Sequence, residues 1–93
     1  MSEAAKPTVF IDNDRVRVTE WRFAPGAATG WHRHEYDYVV VPITDGTLLL
    51  RTPEGEREAP LKLGVPYNRD AGVEHDVING GTTELAFIEV ELK

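Results

Sequence analysis

The chain has 93 residues, enough for one domain and small enough that cover from a second chain is plausible. Its formal net charge is −6, with 16 acidic residues and 10 scattered basic ones, which argues against nucleic acid and anionic membrane as partners. It has no cysteine, which excludes disulfides, thiolate chemistry and Cys-ligated zinc and fits a cytoplasmic location.

A hydrophobic content of 41% with 28% charged residues is that of a folded globular chain, not a disordered one. No secretory signal is visible at the start, and no apolar run approaches the roughly 20 residues that span a bilayer. Residues 1–7 are polar and are expected to form a flexible terminus, leaving one domain over residues 8–93. Residues 8–11 suit a short strand, and Asn13-Asp14 a turn. Residues 15–24 alternate: Val16, Val18, Glu20 and Arg22 share one face, and Arg17, Thr19, Trp21 and Phe23 the other.

Residues 31–43 form the next extended stretch, in which His32, His34, Tyr36 and Tyr38 share one parity. Val39, Val40 and Val41 form an apolar run suited to a strand covered on both faces. Pro42 suggests an edge or a bulge. Asp45-Gly46 is a tight turn, and residues 47–52 and 57–63 flank a loop at Pro53-Glu54-Gly55-Glu56. Short strands at 65–69 and 73–78 follow, and 84–92 is the last. No window is helical, so the fold class is all-β, a sandwich or barrel.

The chain has three histidines. His32 and His34, two apart on a strand, aim two imidazoles into one space, and His75 on a neighbouring strand would complete a facial set. Imidazole suits a divalent transition metal such as Zn, Fe or Ni. Tyr36 is read as a core aromatic, and Asn79 as a turn residue. Glu35 and Asp37, of opposite parity to the histidines, are expected on a solvated face. A register slip would make Asp37 a ligand candidate. Glu20 with Arg22, and Glu89 with Glu91, are surface ladders unless their faces turn inward. Inward, a carboxylate could hold a ligand histidine's free ring N–H or act as general base, and Arg22 could take a substrate carboxylate. Trp21, Phe23 and Trp31 are read as a layer packed against a partner.

The order Gly26, five residues, His32-x-His34, then Gly46 resembles the first motif of the cupin superfamily. Gly64, then Gly72, two residues, His75, three residues, Asn79 resembles the second. The resemblance covers about residues 16–92 and departs twice. Asp70 stands where the second motif has Pro, and Tyr38 or Val39 where the first has a metal-binding Glu. WRFAPGAATG, HRHEYDYVVVP and AGVEHDVING are also similar to small single-domain cupins labelled for β-alanine degradation.

The resemblance implies a double-stranded β-helix or jelly-roll barrel and a homodimer. It implies Fe, Ni, Zn or Mn held by His32, His34 and His75, with Tyr38 or water as fourth ligand. A small polar or anionic molecule is the expected ligand or substrate, since a ligand set without carboxylate leaves more positive charge on the metal. Oxygenase and lyase or isomerase chemistry both fit, as does a ligand-binding or sensory protein. Metal affinity is expected to fall as pH drops through about 6.5.

Overall fold

The computed structural model describes residues 3–93. Nine strands account for the regular structure among them: β1 Lys6–Asp12, β2 Val16–Phe23, β3 His32–Arg33, β4 Asp37–Pro42, β5 Gly46–Thr52, β6 Gly55–Leu61, β7 Tyr67–Arg69, β8 Glu74–Ile78 and β9 Leu85–Leu92. They form two antiparallel sheets, ordered β1-β2-β9-β4-β7 and β3-β8-β5-β6. The fold is the all-β jelly-roll barrel that the turn spacing and motifs imply, with the core between the sheets.

Alternation alone leaves open which face of each strand is inward. Strand β2 turns Arg17, Thr19, Trp21 and Phe23 toward the interior, where Thr19 and Phe23 are buried and Arg17 and Trp21 line a cavity. Trp21 and Phe23 are therefore core residues, not a layer against a partner, and Trp31 is 53% exposed. Glu20 and Arg22 face outward, and the Arg22 guanidinium donates to Glu20 and Glu84 at 3.0 and 2.9 Å. That arrangement removes Arg22 from the substrate role considered for it.

Three local features also differ from expectation. The chain joins the barrel before Thr8: Ala5 is buried, β1 begins at Lys6, and Ala4 bridges to Ala28. The tail expected over residues 1–7 is thus part of the fold from residue 3, and residues 1–2 lie outside the described residues. The stretch 31–43 is two strands, broken over residues 34–36, so the two histidines do not share an unbroken strand. Pro42 makes no bulge: β4 pairs with β9 in continuous register from Asp37 to Pro42. The Ile43 N–H donates to Ala86 on the β9 side, so the Pro42 nitrogen faces the opposite side, beyond the end of β7 at Val40. The register shift lies instead in β1, between Val9 and Ile11.

The two cupin-like motifs are knitted together by Asn79, which is fully buried. Its side-chain amide donates to Phe23 O at 3.1 Å and Thr83 O at 2.7 Å, and its Oδ1 accepts from the Gly81 N–H. Its backbone exchanges hydrogen bonds with Gly26 and Ala27. Gly46 is required for space as well as for its φ of 153°, because a Cβ there would collide with the Leu85 side chain.

Candidate metal centre

His32 on β3 stands directly opposite His75 on β8. His34 follows β3 and is fixed by its backbone, donating to Val73 O at 2.9 Å and accepting from the Gly72 N–H at 2.8 Å. The left-handed φ of 92° at Gly72 lets the chain make that turn. The result is a tripod. His34 Nε2 lies 3.1 Å from His32 Nε2 and 3.1 Å from His75 Nε2, and the three candidate donor atoms all lie within 4.8 Å of one another.

This geometry fits a metal ion. Three nitrogens each about 2.1 Å from one ion stand about 3.0 Å apart at right angles and about 3.4 Å apart at the tetrahedral angle. The two 3.1 Å separations fall between those limits. The tautomer of His32 agrees: its Nδ1 lies 2.9 Å from Gly30 O, which can only accept, so the hydrogen sits on Nδ1 and Nε2 turns a lone pair inward. His75 Nδ1 is buried without a partner among the described residues, so nothing on that side of the ring opposes the same tautomer.

Burial sets the charge state. His34 is pushed down to about 4 and His75 to about 3, first by desolvation and then by the neighbouring His32, so both rings are neutral at physiological pH. Proton competition at these two rings therefore begins well below the 6.5 of an ordinary histidine, which lowers the pH at which metal loss was expected.

Tyr38 is the inward residue of the Tyr38–Val39 pair. It is buried, and its ring stacks on His34 at 3.9 Å between centroids with a 20° interplanar angle. Burial raises the pKa of its hydroxyl, so the phenol stays protonated. Asp37 is exposed and accepts from the Ala71 N–H at 2.8 Å, which commits it to the turn before Gly72 and away from the histidines. The acid near the tripod comes from β9 instead. Glu89 Oε1 lies 4.0 Å from His34 Nδ1, and burial, with Glu91 adding to it, raises its carboxyl to about 7. Glu91 also faces inward, 3.7 Å from Arg17, so it is no outer ladder residue.

The tripod opens into a cavity of about 410 Å³ bounded also by Trp21, Tyr38, Tyr67, Arg69 and Glu89. Sequence reasoning missed Arg69 and Tyr67. They sit on β7, three residues long, too short for alternation to declare a face. Thr29 was also missed. Its hydroxyl lies 3.3 Å from His32 Nδ1 and accepts from the Val77 N–H, which braces β3 against β8.

A cupin domain model matches residues 19–91. The chain is 66% identical over 89 residues to the β-alanine degradation protein BauB of Pseudomonas aeruginosa, covering 96% of this chain and 94% of that one. It is 29% identical over 69 residues to an oxalate-binding protein of Thermotoga maritima, covering 74% of this chain and 55% of that one. A crystal structure of a cupin domain from Bordetella pertussis superposes with a TM-score of 0.98 at 60% identity, covering 100% of this chain and 97% of that one. The fold, the two motifs and these matches together mean that the chain belongs to the cupin family.

Proposed function

We propose that this cupin holds a divalent transition metal (Fe, Ni, Zn or Mn) on His32, His34 and His75 and acts there on a small carboxylic acid. The observation that carries this reading is the convergence of three Nε2 atoms, two pairs of them at 3.1 Å, at one end of a cavity. The names of two relatives, one for β-alanine degradation and one for oxalate binding, support an acid as the ligand. A bound metal would act as a Lewis acid on a coordinated oxygen. The chain's own groups do the rest. Tyr38 holds the His34 ring from its face and stands as the candidate fourth ligand, with water as the alternative. Glu89, its carboxyl near 7, can hold or release a proton beside His34. Trp21 and Phe87 line the apolar side of the cavity. This fits an oxygenase or a lyase or isomerase. A binding protein without turnover is the second reading, favoured by the oxalate-binding relative.

The test is elemental analysis of untagged protein beside His75→Ala. Wild type is expected to carry close to one equivalent of metal, and the variant to lose affinity by more than about 100-fold. Metal retained in the variant would sink the tripod. Oxygen consumption or loss of a small acid separates the enzyme from the binding protein.

The protein is further read as a cytoplasmic homodimer. Val16, Val18, Val39, Val41, Ile88 and Val90 make the outer face of the five-stranded sheet apolar and only half-buried, and Phe10 and Ile11 on its edge are exposed. A second copy would cover that face. Sedimentation at twice the 10.4 kDa chain mass is expected, and a 10.4 kDa species at all concentrations would exclude the dimer.

A further inference from the structure

Three arginines line the cavity, and their circumstances differ. Arg17 is held between Asp12 at 3.4 Å and Glu91 at 3.7 Å. Arg33 alternates with His32 on β3 and is exposed at the rim. Arg69 is half-buried on the inner face of β7 and has no ion-pair partner among the described residues. Its guanidinium lines the cavity and is not buried away from it, so its planar donors are free to take an anion there.

The strand register says where that charge stands. Arg69 is the direct cross-strand neighbour of Tyr38, whose ring lies against His34. Such neighbours are roughly 5 Å apart at Cβ. Glu91 pairs with Tyr38 from the other side, so the acid and the unpaired cation flank one tyrosine. A negative ligand group is thereby steered to the β7 side of the cavity. Glu91 itself is occupied by Arg17.

We infer that Arg69 is the carboxylate anchor of this cavity, its planar fork taking one carboxylate of a short acid while the acid's other polar end faces the three histidines. This rests on the small-acid reading above and adds to it the group that selects the acid. The fork supplies two parallel N–H donors, which a lysine cannot. The short span favours an acid whose two polar ends are separated by few carbons.

Calorimetric titration of the zinc-loaded chain with malonate, and with malonamide as its uncharged isostere, tests the assignment. Wild type is expected to prefer malonate. Arg69→Gln should weaken malonate by roughly 10- to 100-fold, leave malonamide unchanged and retain zinc. Arg69→Lys should fall between. Equal malonate affinity in Arg69→Gln and wild type, or no malonate preference in wild type, overturns the assignment. Should Arg69→Gln fail to fold, Arg69→Lys decides: a malonate preference as strong as wild type overturns the fork. Failure of wild type to take up zinc would instead sink the metal reading, and the same titrations on metal-free protein then decide Arg69 alone.

Discussion

The two ends of the barrel are built from the same strands and do opposite things. Along β2, β9, β4 and β7 the inward residues form successive rungs. At the mouth the rung reads Arg17, Glu91, Tyr38, Arg69, and the next reads Thr19, Glu89, Val40, Tyr67. Deeper in, the rungs become Trp21, Phe87, Pro42 and then Phe23, Leu85. The floor is apolar and closed: Phe23 is fully buried, packs its ring 5.6 Å from Phe87, and meets Leu48 and Leu61 in the core cluster. The mouth gathers the three histidines, Glu89, Glu91 and the unpaired Arg69 around one cavity. Burial stabilises the floor, whereas at the mouth it favours the neutral forms of His34, His75 and Glu89. Stability and chemistry are thus separated by two or three rungs of one sheet.

The sharpest break of that comparison is in the floor. Phe23→Ala removes a fully buried ring and should cost about 3–5 kcal/mol, read as a lower denaturant midpoint. While the variant remains folded, its zinc affinity should stay within a few-fold of wild type, because Phe23 does not line the cavity that holds the tripod. An equal loss of zinc affinity would mean that the two ends are one cooperative site.

His75→Ala gives the opposite pattern, with a large loss of metal affinity and a smaller change in the stability of the chelated protein. The substitution removes a buried ring whose Nδ1 has no partner, so part of the lost packing is offset by relief of that unsatisfied atom. Chemical denaturation with chelator present is expected to show a smaller penalty than Phe23→Ala. A penalty as large as that of Phe23→Ala would make the tripod part of the structural core.

The floor was more legible in the sequence than the mouth. Alternation in 15–24 and 84–92 located β2 and β9, and the Gly and Pro turns located β5 and β6. Periodicity is symmetric between a strand's two faces, however. It could not tell whether Arg17 and Trp21 or Glu20 and Arg22 look inward, because closure of the second sheet decides that. The histidines were legible because they are few and carry the motif spacing. Tyr38 was legible by its parity with them, even though the strand breaks between His34 and Asp37. Arg69 was not, because β7 is too short to show a pattern and its role depends on pairing with Tyr38, far away in sequence. The acid nearest the histidines is Glu89 on β9, but it approaches His34 Nδ1 and not the Nε2 atoms where the motif's carboxylate was sought, and no local spacing encodes it.

The smallest effect expected is also the one that joins the two ends, the acid sensitivity of the chelated protein. His34 and His75 have pKa values lowered by folding to about 4 and about 3, so between those values and 6.5 the unfolded chain binds more protons and stability falls as pH falls. Glu89 works the other way. Its pKa is raised to about 7, so between 4.5 and 7 the folded chain holds the extra proton and stability rises as pH falls. Near pH 5.5 two histidines oppose one carboxyl, which leaves a net loss of about 1 kcal/mol per pH unit. Glu89→Gln removes the opposing group and should roughly double that slope, as read by denaturant midpoints between pH 6 and 5. An unchanged slope would mean that Glu89 keeps its charge in the fold, paired with something other than water. A flat profile in wild type would mean that the two rings take up protons in the folded state, and the mouth would then be far wetter than its burial implies.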